Sequence, residues 1–361
     1  MINRVVLDGQ VFGVRHAGMY RYAYEILHEL DKIVEKNWIN LIVPNYIELN
    51  EFQNIRVIKY GEVKGVLWTQ TSLLVYCLRN KKIPFGFTNT TPVLRPGTAV
   101  IHDIGYKSMR STYSSMYGKI SSLWHRLNYY ILSKQKMPIV TVSETSKKEI
   151  AEVYHVDKRL INVIPNGWQH YERITISDRT CKKYPDIKSG EYYFAIGSTE
   201  ERKNFRWIIN VAKNNPDSLF VIAGKAVKNA KDQLDTDIPS NVIKLGYVED
   251  VDVKWFIKNA KAFIFPSIYE GFGIPPLEAM SVGTKVICSN ASCIPEICED
   301  AVGYFDPYDY EVVLNSIIQK CDTSKYKKIL AKYNWKESAI KLKSVIEALD
   351  NKLNLESVIN K

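Results

Sequence analysis

Short apolar runs rich in β-branched and aromatic residues alternate with longer segments of helical periodicity along the chain. In the first half, the apolar runs predict strands over residues 5–7, 41–43, 55–60, 85–88, 99–101, 139–142 and 163–164. Apolar positions at three- and four-residue spacing predict a helix over 20–35. Ser143 and the acidic residues after it predict a capped helix that ends near residue 154.

The second half repeats this alternation. The strands are predicted over 192–196, 219–223, 242–245, 262–265, 285–289 and 303–305. The helices are predicted over 204–213, 251–259, 275–282, 295–298, 310–320 and 336–349. Strands that alternate with helices indicate parallel sheets with helices on both faces, so the fold class is α/β with two doubly wound domains.

The domain boundary is predicted just after residues 164–167, where a strand gives way to Pro165-Asn166-Gly167. Residues 168–190 are polar and weakly periodic, which favours a linker. We therefore expect domains at 1–170 and 171–335, and a C-terminal helix at 336–361 that packs back on the first domain. Ligands of such sheets bind at the carboxyl ends of the strands, so the cleft between the two domains is the expected site.

The first residues resemble a buried strand more than a secretory signal, because the apolar run of three residues ends at Asp8. No stretch approaches the roughly 20 apolar residues that span a bilayer. We expect a cytoplasmic protein. The six cysteines form no C-x-x-C pair, and we expect six buried or half-buried thiols with no zinc site.

The formal net charge is +10, and the first 170 residues carry +9 of it. Between residues 63 and 143 there are eleven basic residues and one acid, Asp103. A one-sided basic field attracts a polyanion, such as nucleic acid, a phospholipid surface or a phosphorylated acceptor. The chain has no zinc motif, helix-turn-helix or RNA-binding signature, so we expect no nucleic-acid partner and keep that class as a non-enzyme alternative.

The basic stretch at residues 106–136 is interleaved with aromatic and aliphatic side chains. Much of it is compatible with a helix that has an apolar stripe, formed by Ile120, Leu123, Trp124, Leu127 and Ile131. One interpretation is a surface that docks on an anionic membrane. The alternative is that the stripe packs on the first domain while the cations are solvated, and both interpretations hold if only part of the stripe is buried.

The segment from Phe265 to Met280 follows a predicted strand and opens a predicted helix. Gly271 and Gly273 allow the backbone to come close to a ligand, and the N–H groups around Gly273 and Ile274 predict an anion site at a helix N-terminus. Two carboxylates, Glu270 before the turn and Glu278 in the expected first helical turn, flank that site. The alternative is that these glutamates are a solvated loop residue and a residue that favours the helix dipole.

Three further segments carry candidate chemistry at the ends of predicted strands or the start of a helix. Arg202 and Lys203 follow the strand that ends at Gly197, and two adjacent cations there can neutralise a diphosphate. His102 and Asp103 close a strand of the first half. The loop at 15–22 contains Gly18 and leads into the first helix.

Glu270 and Glu278 lie in E-G-F-G-I-P-P-L-E-A-M, which resembles the E-x7-E motif of the family-4 retaining glycosyltransferases, including members that act in bacterial polysaccharide biosynthesis. The similarity extends over nearly the whole chain. It includes V-I-P-N-G at 163–167, Gly197 with R-K-N at 202–204, L-G-Y-V at 245–248, P-E at 295–296, I-H-D at 101–103 and T-V-S-E at 141–144. The resemblance implies the GT-B fold, in which two Rossmann-like domains face each other across a cleft.

The resemblance also implies roles for individual residues. Glu278 is expected to bind the donor ribose, Glu270 the hydroxyls of the transferred sugar, and His102 to lie near the reacting carbon, where Asp103 orients it or the acceptor. The remaining donor-binding residues are expected near the diphosphate or the base: Gly18, Gly197, Arg202, Lys203, Gly246, Tyr247, Val248, Gly271, Phe272, Gly273 and Ile274. Two departures from the family pattern are Ala17 before Gly18, where many relatives have a second glycine, and Ser198, where several have an arginine. Arg202 is expected to take over that charge.

The activity implied is the transfer of a hexose-type sugar from a nucleotide diphosphate sugar to a glycan or lipid-linked acceptor. Because cations and a helix N-terminus can compensate the leaving diphosphate, no metal or other cofactor is expected. The place of action implied is the cytoplasm, with peripheral contact to the inner face of the cytoplasmic membrane. The alternative within enzymes is a nucleotide-sugar epimerase or another GT-B enzyme.

Overall fold

The computed structural model describes residues 1–13, 18–109, 116–177, 179–224 and 238–359. These residues form two compact units. The first comprises Met1–Ser108, Tyr117–Asn166 and the helix that begins at Trp335, while the second comprises Gly167–Asn334 together with Met109 and Met116. Apart from Met109 and Met116, the described part of the second unit is one continuous stretch of sequence interrupted only at 178 and 225–237.

The first unit is built on a parallel sheet. Its strands are β1 (Val5–Asp8), β2 (Asn40–Val43), β3 (Arg56–Lys59), β4 (Ile83–Gly86) and β5 (Thr98–Ala99), in the order β3-β2-β1-β4-β5. A bridge between Val100 and Val140 continues this sheet toward a parallel pair formed by β6 (Ile139–Thr141) and β7 (Ile161–Val163). Strands β1 and β2 are almost wholly buried, as expected for parallel strands covered on both faces.

Helices of the first unit follow the predicted alternation. They are α1 (Gly18–Ile33), α2 (Val66–Trp68), α3 (Leu74–Arg79), α4 (Gly105–Ser108), α5 (Met116–Lys134) and α6 (Glu144–Tyr154). The short helices α2, α3 and α4 are additions to the predicted alternation. The cap predicted for α6 is confirmed, because the Ser143 hydroxyl accepts the Ser146 N–H at 3.1 Å. The pattern did not predict α2 and α3, which a π-helical turn at Thr69–Leu73 joins.

Helix α5 exposes part of its apolar stripe. Ile120, Leu123 and Leu127 are 64%, 66% and 43% exposed, and Tyr130 beside them is 55% exposed. Trp124 and Ile131 are half-buried. The alternative in which the whole stripe packs on the first domain is therefore wrong for the three aliphatic side chains, because α5 packs inward through its other side. The buried residues there are Ser122, Asn128, Tyr129 and Leu132.

The second unit contains a six-stranded parallel sheet. Its strands are β8 (Tyr192–Ile196), β9 (Leu219–Ala223), β10 (Val242–Gly246), β11 (Ala262–Phe265), β12 (Val286–Ser289) and β13 (Gly303–Phe305). The order is β10-β9-β8-β11-β12-β13, so the winding direction reverses between β8 and β11. A crevice forms at such a reversal, beyond the carboxyl ends of the strands.

The helices of the second unit flank this sheet. They are α7 (Arg179–Lys183), α8 (Phe205–Asn214), α9 (Asp250–Asn259), α10 (Ile274–Ser281), α11 (Ile294–Cys298), α12 (Leu314–Gln319) and α13 (Tyr326–Ala331). The helix predicted from residue 310 begins only at Leu314. Asp309 holds the preceding turn, because its carboxylate accepts the Glu311 N–H at 2.9 Å and its carbonyl accepts the Trp207 indole N–H at 2.7 Å.

The linker predicted at residues 168–190 is folded into the second unit. His170 and Tyr171 are buried in a 3-10 turn, Gln169–Tyr171, and α7 follows. One buried polar side chain of α7 is bonded inside the unit, since the Thr180 hydroxyl donates to the Asp252 carboxylate at 2.6 Å. The linker prediction is wrong because a few buried positions, His170, Tyr171, Thr180 and Ile187, anchor a segment whose other described residues are mostly exposed.

The C-terminal helix, α14 (Trp335–Ile359), packs in the first unit against α1. The Asp350 carboxylate accepts the backbone N–H groups of Asn3, Arg4 and Val5 at 2.5–3.1 Å. The helix runs ten residues past its predicted end at 349, because the buried contacts continue through Asp350 and Leu353. The two parallel-sheet domains of the α/β prediction are confirmed.

Candidate active site

The crevice of the second unit is lined by the loops that follow β8 and β11. Because these strands are neighbours, the 3-10 turn Glu201–Lys203 and the loop after Phe265 meet. The Ile268 N–H donates to the Arg202 carbonyl at 2.9 Å, and the Asn204 side chain donates to the Pro266 carbonyl at 3.2 Å. These hydrogen bonds hold the loop after β8 and the loop after β11 in a fixed position relative to each other.

Glu270 and the two predicted cations form one cluster, in which Glu270 is buried and Arg202 and Lys203 are half-buried. The Lys203 ammonium donates to one Glu270 oxygen at 2.6 Å, and the Arg202 guanidinium donates to the other at 3.0 Å. Arg202 also donates to Glu200 at 2.7 Å. The Glu270 side chain is 9% exposed. Two cations and two carboxylates therefore share the cluster, and their formal charges cancel.

The surroundings of Glu270 fix its charge state. Burial by itself would raise the pKa of this carboxyl, but the positive charges of Lys203 and Arg202 outweigh it and hold the pKa below its ordinary value. Burial lowers the pKa of Lys203, partly offset by Glu270. The Glu270 carboxylate is thus ionised at neutral pH.

Helix α10 begins directly after this cluster. Gly273 precedes its first residue with φ +93°, a left-handed conformation that favours glycine. The N–H groups of Gly273 and Ile274, which were predicted to form an anion site, lie at the start of this eight-residue helix. The N-terminus of a helix stabilises an anion. Gly271 and Phe272 are buried. The Phe272 ring packs edge-to-face on Tyr333 at 5.2 Å between centroids, so its side chain is a packing group.

Two residues that hold the Glu270 loop, Ser292 and Cys293, were not predicted as site residues. The Ser292 hydroxyl accepts the Glu270 N–H at 3.3 Å and donates to the Glu270 carbonyl at 2.8 Å. The Cys293 thiol lies 3.2 Å from the carbonyls of both Glu270 and Phe272. Burial raises the pKa of the Cys293 thiol, so it keeps the proton it donates. The expectation for the cysteines is wrong at one position, because Cys181 is exposed.

Glu278 lies in the second turn of α10, not the first as expected, because the helix begins at Ile274. The Glu278 carboxylate lies 2.8 Å from the Nε2 atom of His170, and both side chains are buried. No motif pointed to His170, since it is a single histidine in a polar segment.

Three glycines mark the carboxyl ends of β8, β9 and β10. A side chain at Gly224, which follows β9, would place Cβ 1.6 Å from the Gly197 carbonyl oxygen, so only glycine fits there. A Cβ at Gly197 would lie 3.3 Å from the Phe205 ring. Beside Gly246, Tyr247 is 60% exposed whereas Val248 is buried. Gly224 was not among the predicted site residues. It lies against Gly197 at the carboxyl-terminal edge of the sheet.

The predicted site residues of the first unit are His102, Asp103 and Gly18. His102 Nε2 donates to the Phe87 carbonyl at 3.0 Å, and burial lowers the pKa of this histidine, so its ring is neutral. The Phe87 carbonyl, rather than Asp103, holds the ring. The Asp103 carboxylate instead accepts the Gly105 N–H at 2.8 Å. Gly18 begins α1; Ala17 and the rest of 14–17 lie outside the described residues, as does Arg110 of the basic stretch.

Two Asp-x-Asp triplets occur, at 235–237 and 250–252. The first lies outside the described residues. In the second, Asp252 is buried and bonds to Thr180 and Lys183 at 2.6 and 3.1 Å. Across the part of the chain that the structure describes, no group of three or more His, Cys, Asp or Glu side chains is arranged to hold a metal ion. Within the same residues, no helix is long and apolar enough to cross a bilayer.

Residues 178–337, which cover most of the second unit, match the family model described as glycosyl transferases group 1. This segment belongs to that family. The match includes the Arg202–Lys203–Glu270 cluster and Glu278. The chain is therefore a glycosyltransferase, and the family prediction is confirmed.

Curated relatives agree with this assignment. The chain is 26% identical over 349 residues to the O-antigen chain mannosyltransferase RfbU of Salmonella typhimurium, covering 90% of this chain and 94% of the relative. It is 30% identical over 206 residues to the O-antigen chain mannosyltransferase B of Escherichia coli, covering 53% of each protein.

Solved structures share the fold at low sequence identity. Sucrose-phosphate synthase of Thermosynechococcus elongatus aligns with a TM-score of 0.71 at 15% identity, covering 96% of this chain and 99% of that one. HepE of Anabaena in complex with UDP aligns with a TM-score of 0.70, also at 15% identity, covering 96% of this chain and 100% of that one. The GT-B fold predicted from the sequence is confirmed.

Proposed function

We propose that this glycosyltransferase is retaining and metal-independent, and that it moves a hexose-type sugar from a nucleotide diphosphate donor to a glycan or lipid-linked acceptor in bacterial surface polysaccharide synthesis. The observation that carries the proposal is the Arg202–Lys203–Glu270 cluster at the strand reversal, beside the start of α10. The names of two relatives favour mannose as the transferred sugar.

In the proposed reaction, the acceptor oxygen bonds to the anomeric carbon as the bond from that carbon to the diphosphate breaks. The acceptor proton passes to the leaving phosphate on the same face of the sugar, so the anomeric configuration is retained. Arg202, Lys203 and the N–H groups at Gly273 and Ile274 supply the charge that the departing diphosphate requires. Glu270 as a covalent nucleophile is the less favoured route.

Glu270 has two tasks in this proposal. Before the donor binds, the Glu270 carboxylate accepts hydrogen bonds from both cations, at 2.6 Å from Lys203 and 3.0 Å from Arg202. A diphosphate that takes those cations releases Glu270 to accept hydrogen bonds from the sugar hydroxyls. Glu278 binds the ribose, and the edge formed by Gly197, Gly246, Tyr247 and Val248 lies near the base. The role of His102 stays a prediction.

The decisive experiment is transfer with a panel of nucleotide sugars, GDP-mannose first, in the presence of excess EDTA. Product formation with retained anomeric configuration is the expected result. Loss of activity that magnesium or manganese restores would contradict metal independence, and an inverted product would contradict retention. Epimerisation of the donor without any acceptor would favour the epimerase alternative.

The acceptor is proposed to lie at the cytoplasmic leaflet of the membrane, and α5 supports this. Its exposed residues Ile120, Leu123, Leu127 and Tyr130 share one side of the helix with the exposed Lys119 and Lys134. The Lys134 ammonium lies 5.4 Å from the centre of the Tyr130 ring. Apolar side chains next to cations match an anionic membrane surface, where each cation contributes about 1 kcal/mol.

Liposome co-sedimentation tests this surface. Binding should rise with anionic lipid and fall with salt, and replacing Lys119, Arg126 and Lys134 by Gln should abolish it. A matched control replaces the exposed Lys36, Lys148 and Lys158 of the same unit, which lowers the net charge equally and should leave most binding intact. Equal sedimentation with neutral and anionic liposomes, or an equal loss in both triple variants, would overturn the docking proposal.

A further inference from the structure

His170 is a buried histidine in the second unit with a defined partner. It is 3% exposed, and its Nε2 atom lies 2.8 Å from Oε1 of Glu278, which is 8% exposed. The two residues are 108 positions apart in the sequence. Burying two polar side chains costs desolvation free energy unless they bond to each other. The bond between His170 and Glu278 offsets this cost and holds both side chains in place.

The 3-10 turn that carries His170 is fixed from several sides. The Trp168 indole N–H donates to the Leu330 carbonyl and the Gln169 amide donates to the Tyr333 carbonyl, each at 3.0 Å. The Lys254 ammonium donates to the Tyr171 carbonyl at 2.6 Å. The turn is therefore anchored to α13, to the residues after it and to α9, and it presents the His170 ring at a defined position.

The direction of the bond follows from its chemistry. A carboxylate oxygen accepts, so Nε2 of His170 carries the proton and donates. A hydrogen bond to a charged group is stronger and more directional than one between neutral groups. It fixes the rotation of the Glu278 carboxylate about its last side-chain bond, and thereby the direction in which that carboxylate accepts hydrogen bonds from a ligand.

We propose that His170 is a positioning residue for ribose recognition. By holding Glu278, it sets the preference of the site for nucleotides that carry both ribose hydroxyls. This inference rests on the proposed role of Glu278 as the ribose ligand. It assigns a function to a residue outside the E-x7-E motif, in a segment whose polarity predicted a linker.

The test measures binding of UDP and GDP by calorimetry, each beside its 2′,3′-dideoxy counterpart. The quantity of interest is the ratio of the two dissociation constants, which we expect to be about tenfold or more in the wild type for whichever base binds. His170→Ala and His170→Phe should each lower this ratio at least about threefold by weakening the ribonucleotide alone. His170→Gln, whose amide donates, should recover part of it.

Two further variants separate this inference from the proposed function. Glu278→Gln should bring the ratio close to one, and combining it with His170→Ala should lower the ratio no further. If Glu278→Gln keeps the ribose preference, the proposed role of Glu278 is wrong. If Glu278→Gln loses the preference while both His170 variants keep it, the positioning role alone is wrong.

A merely structural role predicts a different pattern. Gln169→Ala removes an anchor of the same turn but keeps His170, so it should lower the melting temperature and leave the ratio unchanged. Equal weakening of ribo- and dideoxynucleotides in the His170 variants would overturn the positioning role. Should His170→Ala fail to fold, His170→Phe keeps the volume of the ring and decides the question by the same ratio.

Discussion

Glu270 and Glu278 belong to one sequence motif, yet the structure gives them different surroundings. Both are buried, but Glu270 lies between the cations of Arg202 and Lys203, whereas Glu278 faces the ring of His170. Removing Glu270 releases two positive charges next to the place where a diphosphate would bind. Removing Glu278 takes away the carboxylate that faces His170 and leaves the two cations paired with Glu270. Substituting these two glutamates, which are eight positions apart, should therefore have different effects on nucleotide binding and on sugar transfer.

The largest effect is expected from Lys203→Ala, which removes a charge on the Glu270 side. Transfer should fall by about 10²-fold or more, by analogy with the loss of one oxyanion donor, because the departing diphosphate loses a cation. Steady-state kinetics measure the fall. Lys258→Ala, which removes an exposed lysine of α9, is the matched control and should retain activity. Turnover of Lys203→Ala at the wild-type rate would remove Lys203 from the proposed mechanism.

A smaller effect distinguishes the two glutamates directly. Glu278→Gln should weaken free nucleoside diphosphate by about tenfold, since the ribose is part of that ligand. Glu270→Gln should leave its binding unchanged or strengthen it, because Arg202 and Lys203 lose their internal partner. It should nevertheless reduce transfer.

Calorimetry with UDP and GDP, beside a transfer assay, measures both halves of this comparison. Glu270→Ala and Glu278→Ala provide a second pair that removes each side chain entirely. The reverse pattern, in which Glu270 variants lose nucleotide and Glu278 variants keep it, would mean that the two roles are exchanged.

The smallest effect concerns a third buried carboxylate, Asp8 of the first unit, whose hydrogen bonds come from the Gln10 N–H and the Thr69 hydroxyl. Burial raises the pKa of Asp8 to about 6, the opposite direction to Glu270. The folded state thus favours the protonated form. The raised pKa therefore adds to the free energy of unfolding. This contribution is fully present below the unfolded-state pKa near 3.8 and is lost as the pH rises through about 6.

Asp8→Asn should therefore raise the melting temperature at pH 7 by a few degrees and change it little at pH 4, with no loss of nucleotide binding. Scanning calorimetry between pH 4 and pH 7 measures this. A variant that is destabilised equally at both pH values would show that the two hydrogen bonds matter more than the charge.

Much of the second unit could be predicted because its central strands β8, β11 and β12, and their neighbour β9, are buried apolar runs. The bounds of β8, β9, β11 and β13 match the prediction residue for residue. In the first unit, α2 and α3 escaped prediction because the polar run Thr69-Gln70-Thr71-Ser72 interrupts the apolar spacing. A helix held by tertiary contacts does not need a continuous stripe in its sequence.

The site was predictable to the extent that its residues follow strands. Arg202, Lys203 and Glu270 meet because parallel neighbours end at the same edge of the sheet. His170 and Ser292 reach the two glutamates from loops, where no periodicity constrains the sequence. Such contacts depend on tertiary packing, and a single sequence carries no local signal for them.

The return of α14 to the first unit also has a consequence for synthesis on the ribosome. Helix α14 packs on one side of α1, and Asp350 accepts hydrogen bonds from three N–H groups near the N-terminus. Both contacts form only after residues beyond 335 emerge. The second unit is almost contiguous in sequence and has emerged by then. The part of the chain that is translated first thus completes its core last. Until α14 has emerged, the nascent chain therefore exposes an apolar side of α1 to which chaperones can bind.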